Sequence, residues 1–451
     1  MEIEQSKRIE IMLPNNSAPL KIKAYKKRWF ILGIFIYNAS INSLQWLEYS
    51  SITNLAVKYY NVHTMAVDWS STVYFAMYPL LVIPVSYLIE MQGLRLAGLI
   101  GCIGNLVAVT VKVLSIHNDR FWVVMLGQII GAVSQLFIVC LPTKIASVWF
   151  KENEISTACS LGVSGTLLGY ALGFILPTLL VHDSNNLDDI GEGLKTLCWT
   201  LVGIMIPVTV ATITYFPKEP KNPPNKVQAT LRENNKKFQS KYFFNSIKKL
   251  FKSKAFMIHL VAYSINVAGI NAVVIFLNQF TLQYFPGADE DVGWMGFVLI
   301  VIGMFGSVIF GILLDKTHKY KEINLFIYIT TTISIVFLMF SMKYESKVMT
   351  YISCAVLGLF SCGYLPVGFE FAMELTYPLE ESTTTGIILS SVQLHGVIFV
   401  VMLGFLNEVL EAFWSLAVVC VIIGIGNVFL CFVPNQLKRQ DAFKKNELTL
   451  I

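Results

Sequence analysis

Apolar residues along this chain come in long blocks of about 20 residues, separated by short polar connections. A helix rising about 1.5 Å per residue needs roughly that many to cross the roughly 30 Å hydrocarbon layer of a bilayer. Twelve blocks qualify, at 29–53, 69–89, 96–116, 121–143, 156–181, 196–216, 256–281, 292–314, 322–342, 349–372, 383–406 and 412–434, and they fall six and six about a basic stretch from Pro217 to Lys254. The pattern predicts an all-α membrane protein with twelve transmembrane helices. It has an N-terminal six-helix bundle at 29–216 and a C-terminal one at 255–434, with a linker at 217–254 and tails at 1–28 and 435–451.

Composition agrees with a lipid environment: 55% of residues are hydrophobic, 14% are charged, and the mean hydropathy is +0.61, whereas a soluble domain is about 25% charged. Charge then sets an orientation, because basic loops near span ends stay in the cytosol. With both tails and the linker cytosolic, all but six of the 34 Lys and Arg lie on that side; the exceptions are Lys58, Lys112, Arg120, Lys195, Lys343 and Lys347, at outer span ends or outside. Asp183, Asp188, Asp189, Glu192, Asp289, Glu290 and Asp291 make the outer mouth acidic. The first 28 residues carry no apolar core with a small-residue cleavage site, so the first span is expected to act as the targeting signal in a plasma-membrane protein. The net charge of +5 sits in cytosolic loops and points to anionic lipid, not nucleic acid. The eight cysteines lie within spans without metal-ligand spacing and read as packing residues. Nucleophile-elbow, metal-cluster and phosphate-loop motifs are absent from the sequence, so neither an enzyme nor a cofactor is expected.

Six spans, a connector and six spans is the layout of the major facilitator superfamily, whose two bundles rock about a midplane site. Internal repetition supports that layout. The second span ends in an acid-to-base run from Glu90 to Arg95, and the eighth ends in Asp315, Lys316 and Lys319. Such loops resemble the superfamily's acid, Gly and Arg signature, which latches the cytosolic ends together; solvated loop charge is the plainer alternative. Gly162, Gly165, Gly169 and Gly173 recur every three or four residues in the fifth span and predict one closely packed face. Pro84, Pro177 and Pro366 are candidate kinks. Pro223-Pro224 and the Lys- and Asn-rich run after them mark the linker, within which Phe238 to Phe251 has the pattern of an amphipathic interfacial helix.

Polar groups inside spans are costly and are candidate sites by default. The densest set is in the first span. Asn38, Asn42, Gln45 and Tyr49 share one helical face, and Trp46 lies one residue further round. The face of a Trp ring attracts an organic cation by about 0.5 to 2 kcal/mol; packing between helices is the alternative. Glu48, next on the same helix, is costly to bury ionised and is a candidate for proton coupling, or for a structural bond across helices. Glu370 and Glu374, one turn apart at the end of the tenth span, suit pairing with basic loops as a gate. His259 and His395 stand without a local motif, and packed, hydrogen-bonded imidazoles are the leading reading against haem ligation or proton relay.

Several strings together resemble the feline leukaemia virus subgroup C receptor family: Asn42-Ser-Leu-Gln-Trp46, Ser51-Ile-Thr-Asn54, Ala66-Val-Asp68-Trp69, Gly93-Leu-Arg95, Leu277-Asn278-Gln279, and above all Gly363 to Phe371 followed by Glu374 and Thr376-Tyr377-Pro378. The resemblance runs from about Arg28 to the twelfth span. It implies a major facilitator fold and carriage of choline and ethanolamine, with haem export also linked to the family. It also places Trp46, Asn42 and the eleventh-span Gln393 in the substrate pocket. At two further pocket positions this chain departs from the family: Leu167 stands where a Gln is expected, and Ile270-Asn271 replaces a Phe-Tyr pair. One ring with Asn271, Gln45, Glu48 and Gln393 offers hydrogen-bond acceptors suited to a primary amine, which points from choline towards ethanolamine or another small amine. The functional expectation is therefore a monomeric carrier of a small organic cation or amine working by alternating access. The alternatives are a haem carrier, disfavoured by spans almost free of Lys and Arg, and a receptor of the same fold that binds without transporting.

Overall fold

The computed structural model describes residues 25–151, 154–224, 247–377, 379, 381–435, 437, 438 and 440, and the statements below concern these. The twelve spans of the hydropathy pattern form twelve long helices: Lys27–Tyr60, Thr64–Ile89, Leu94–Val113, Phe121–Trp149, Thr157–Leu180, Leu187–Tyr215, Lys254–Ile275, Asp289–Leu314, Tyr320–Lys343, Lys347–Thr376, Thr383–Val409 and Ala412–Cys431. Described residues contain no strand. Most of the predicted amphipathic segment, up to residue 246, lies outside the described residues, while 247–252 are helical.

Three spans are interrupted where the pattern alone shows one block. The first is helical over Lys27–Leu47, passes through a 3₁₀ turn at Ser50–Ile52 and resumes over Thr53–Tyr60. Side-chain hydroxyls compete for backbone carbonyls there: Ser51 Oγ donates to the Glu48 carbonyl at 3.2 Å and Thr53 Oγ1 to the Ser50 carbonyl at 3.0 Å. The fourth span breaks at Cys140, just before Pro142, and the seventh at Phe276, after which Leu277–Tyr284 continues as a separate helix.

Close packing follows the glycines. Along the fifth span a Cβ at Gly165 would lie 3.0 Å from the Ile36 carbonyl oxygen and one at Gly173 3.0 Å from that of Leu44, while at Gly169 it would overlap the Ser40 carbonyl. The expected face thus exists and is laid against the first span, with Ser40 Oγ donating to the Gly165 carbonyl at 2.8 Å. In the second bundle Gly303, Gly306 and Gly358 bring the eighth and tenth spans together in the same way.

The two repeats also end alike. The second span is capped by Gly93 at φ 84°, whose N–H donates to the Ile89 carbonyl, and the eighth by His318 at φ 53°, whose N–H donates to the Leu314 carbonyl. Both acid-to-base runs therefore contain a helix-ending residue of positive φ, six spans apart. Arg95 is exposed just after the first of these turns, and Asp315 stands in the last turn of the eighth span.

The bundles meet over one apolar cluster that contains Trp46, Phe75, Leu167 and Phe174 from the first half and Ile270, Val274, Met295 and Phe399 from the second. Their contact is firmest at the end opposite the tails. Phe174 packs against Gly296 there, and Thr178 packs against Gly293. Large apolar residues such as Leu80, Trp122, Phe305 and Phe405 cover the outside of the helices, as lipid contact requires.

Candidate functional site

The polar face of the first span does not stay together with Trp46; the helix divides them. Asn38, Asn42 and Gln45 turn into the first bundle. Asn42 Nδ2 donates to Asn105 Oδ1 at 2.7 Å and to the Gly131 carbonyl at 3.1 Å, and Asn105 Nδ2 donates to Asn38 Oδ1 at 2.9 Å. Gln128 Nε2 donates to the Gln45 carbonyl at 3.0 Å. Lys112 Nζ donates to Gln45 Oε1 at 3.1 Å and pairs with Glu48. Lys112, read from sequence as an outer-end charge, is at that end of its span but wholly buried. Gly127 makes room for it, since a Cβ there would lie 3.0 Å from the Ala108 carbonyl oxygen and closer still to the Lys112 stem.

Trp46, one turn on from Asn42, reaches instead into the cluster shared by both bundles and is 2% exposed. Its ring centroid lies 4.8 Å from that of Tyr170 on the fifth span and 5.5 Å from that of Phe75 on the second. Ser71 Oγ fixes the Trp46 carbonyl at 2.5 Å, whereas Trp46 Nε1 donates to no protein group. Tyr170 and Phe75 give Trp46 aromatic neighbours although Ile270-Asn271 stand in place of the Phe-Tyr pair. Sequence reasoning missed them because they come from other spans, although Tyr170 follows directly on Gly169 of the glycine face.

Phe75 carries this group to the second bundle, where it fills the space beside Gly396. Gln393 lies three residues before Gly396, on the same side of the eleventh span. It is half-buried, and its Oε1 receives no hydrogen bond. Asn271 is half-buried on the seventh span beside Ile270, itself part of the shared cluster. Trp46 and Gln393 thus border the bundle junction and Asn271 is half-buried one residue from its Ile270, while Asn42, Gln45 and Glu48 bond within the first bundle and hold the Trp46 helix.

Glu374 is buried at the tail end of the tenth span and accepts from the backbone N–H of Gln440 at 3.3 Å; Lys438 donates to the neighbouring Leu375 carbonyl at 2.9 Å. Glu370, one turn earlier, is exposed. His259 Nε2 bonds the Gly368 carbonyl at 2.9 Å and His395 Nδ1 the Ser391 carbonyl at 2.8 Å, so both imidazoles are engaged by backbone.

Hydrogen bonds between the bundles gather at the end opposite the tails. Gln279 Nε2 donates to Asp68 Oδ1 at 2.6 Å, Asn54 Nδ2 to Asp289 Oδ1 at 2.7 Å, and Asn278 Nδ2 to the Ser51 carbonyl at 2.9 Å. The amide runs Ser51 to Asn54 and Leu277 to Gln279, singled out in the sequence, meet here.

The Major Facilitator Superfamily model matches residues 29–400. Choline/ethanolamine transporter flvcr2a of Danio rerio is 35% identical over 423 residues, covering 93% of this chain and 89% of that protein. This chain belongs to the feline leukaemia virus subgroup C receptor family of major facilitators. Choline/ethanolamine transporter FLVCR2 of Homo sapiens is 34% identical over 424 residues, 94% of this chain and 80% of its own length. An MFS-type transporter of Caenorhabditis elegans, named as uncharacterized, is 36% identical over 432 residues, 96% and 73% of the two chains. The fold matches the D-xylose-proton symporter at a TM-score of 0.74 over 91% of this chain and 98% of that one, with 11% identity. A bacterial homologue of the lysosomal transporter Spinster, inward-facing and unoccupied, matches at 0.66 over 90% and 97%, with 13% identity. As a family member, the protein is a multi-pass integral membrane transporter of a small molecule.

Proposed function

We propose that this carrier moves a small organic amine, ethanolamine before choline, through a site at the bundle junction built on Trp46, Gln393 and Asn271. The observation that carries the reading is the group Trp46, Tyr170 and Phe75, three rings from three spans beside the second bundle. Ring faces attract an alkylammonium group, and the attraction grows once water is excluded. The unsatisfied Oε1 of Gln393 is an acceptor that a primary ammonium can satisfy and a trimethylammonium cannot. Relatives named as choline/ethanolamine transporters support the amine class. Leu167 in the shared cluster removes a polar partner and favours the smaller substrate.

In this proposal the tails face the cytosol, the protein sits as a monomer in the plasma membrane, and the structure is the state closed to the outside. Alternating access then requires the hydrogen bonds of Gln279 with Asp68 and of Asn278 with Ser51 to part as Arg95 and Glu370 engage across the cytosolic end. Glu48 and Asp315 act in this scheme as supports of the moving helices and of the latch. Uptake of radiolabelled ethanolamine and choline, measured beside Trp46→Ala at equal surface level, tests the reading. Ethanolamine uptake that vanishes in the variant supports it; uptake of neither amine by well-expressed protein overturns it.

A further inference from the structure

A cavity opens at the end opposite the tails, between the bundles, with a volume of about 410 Å³. Asp68, Asn278, Gln279, Asn407 and Glu408 are among its lining residues. Two hydrogen-bond relays run into it, and each starts at a carboxyl group. In the first, Asp68 Oδ1 accepts from Gln279 Nε2 at 2.6 Å, and Gln279 Oε1 accepts from Asn407 Nδ2 at 3.0 Å. In the second, Asp289 Oδ1 accepts from Asn54 Nδ2 at 2.7 Å, and Asn54 Oδ1 accepts from Asn278 Nδ2 at 3.1 Å.

A carboxylate only accepts, so it fixes the direction of every amide along its relay. Each relay must therefore end on an amide carbonyl. Those ends, Asn407 Oδ1 and Asn278 Oδ1, receive no hydrogen bond from the protein. Asn278 is 1% exposed, which makes an unmatched carbonyl there costly. Glu408, whose carboxylate lies 3.6 Å from the exposed His63 Nδ1, adds a second charge to the same wall.

We infer that this cavity binds a primary ammonium group, held by Asn278 Oδ1, Asn407 Oδ1 and Glu408. All the unmatched groups are acceptors, so the ligand must be a donor. An ammonium presents three N–H bonds, whereas a quaternary ammonium presents none. The cavity is far larger than one inorganic ion needs and leaves room for an organic tail beside Val57, Met65 and Leu282. Since the relays cross from one bundle to the other, the site is complete only while this end is closed, and its ligand holds that end shut. High amine on that side therefore slows the carrier. The site shares the amine chemistry of the proposed transport function but none of its residues.

Thermal unfolding of the purified full chain in maltoside detergent, with ethylammonium or tetramethylammonium as probe at constant ionic strength, tests the inference. Ethylammonium is expected to raise Tm by several degrees in the native chain and still to do so in Trp46→Ala, which keeps only this cavity, and tetramethylammonium is not to do so in Trp46→Ala. Asn407→Leu and Glu408→Gln, separately, should each weaken the ethylammonium response at least tenfold in concentration. Loss of the response in Trp46→Ala would place the ligand at the bundle junction and overturn the inference, as would an equal response to tetramethylammonium in that variant or to sodium exchanged for potassium. A full response in both cavity variants overturns it too. Failure of amine uptake with the Trp46→Ala response intact sinks the transport proposal alone.

Discussion

Lys112 and Glu48 form an ion pair inside the first bundle in which each side chain is 1% exposed, with Glu48 only two residues after Trp46. Burying two charges costs more than their attraction returns unless the remaining polar atoms are also satisfied; here Gln45 Oε1 shares the Lys112 ammonium, but Glu48 Oε2 has no partner, so the pair is held chiefly by its mutual attraction. Removing one partner strands the other. Lys112→Met should destabilise the protein by about 3 to 5 kcal/mol and cut folded yield, whereas Lys112→Met combined with Glu48→Met should recover most of the loss. Detergent-solubilised Tm of the native protein, of Lys112→Met and Glu48→Met singly and of the double variant measures the coupling; equal losses in single and double variants would refute the account.

Gly169 is a second point where the fold has no slack, because a Cβ there would overlap the Ser40 carbonyl in the facing helix. Gly169→Ala is expected to cost about 1 to 3 kcal/mol through forced separation of the first and fifth spans. Gly203, with nothing within 4 Å of its virtual Cβ, is the control. Its alanine variant should match or slightly exceed the native protein in fluorescence-detected gel filtration after heating.

The sequence carries the span count, the six-and-six division and the Gly162 to Gly173 face openly, because lipid imposes block length and close helix approach imposes small residues. It also singles out Trp46 as a candidate, since an aromatic ring beside amides is conspicuous inside a span. It does not reveal which way each residue of the first span faces. Asn42 and Trp46 are one turn apart, yet one bonds Asn105 inside the bundle and the other meets Tyr170 at the junction. That division depends on Lys112 and Asn105 of the third span and Gln128 of the fourth, residues far away in the chain. The breaks at Ser50 and Phe276 escape hydropathy for the same reason: interrupted helices remain apolar.

Leu167 and Asn271 together offer a route to altered selectivity. Leu167 is 8% exposed within the shared cluster, and Asn271 is half-buried next to Ile270. Leu167→Gln with Asn271→Tyr adds a polar partner and a ring opposite Trp46, which suits a trimethylammonium head. The choline-to-ethanolamine uptake ratio should rise by about tenfold, equivalent to about 1.4 kcal/mol. An unchanged ratio with both amines still carried would show that these positions do not set selectivity.

Glu154, between the fourth and fifth spans, titrates below its ordinary value of 4.5: burial opposes the charged form, but the Arg28 hydrogen bond, the Lys151 backbone N–H and both positive charges outweigh it. A lowered carboxyl value in the folded state stabilises above the unfolded value and is lost as pH falls through the folded one. The pair is partly solvated, so its worth is about 1 kcal/mol or less. Native Tm should therefore fall slightly more than that of Glu154→Gln on going from pH 6 to pH below about 4; parallel curves would exclude the contribution.

Asp68 anchors the relay through Gln279 to Asn407 and is buried on the second span, facing the other bundle. In Asp68→Asn the side chain can donate as well as accept, so Gln279 is no longer held in one orientation and the closed end loses about 1 kcal/mol of net hydrogen bonding. A conformational equilibrium biased by that amount shifts about fivefold towards the state open at this end. The fold itself should survive, because the side chain keeps its size and one acceptor. Cysteine introduced at Val57, in the cavity wall, would report the change through its rate of labelling by a membrane-impermeant maleimide. Faster labelling in Asp68→Asn, with unchanged Tm, is the expected result. Labelling at the native rate would mean that the contacts of Phe174 with Gly296 and of Met65 with Gly404 hold that end closed without the relay.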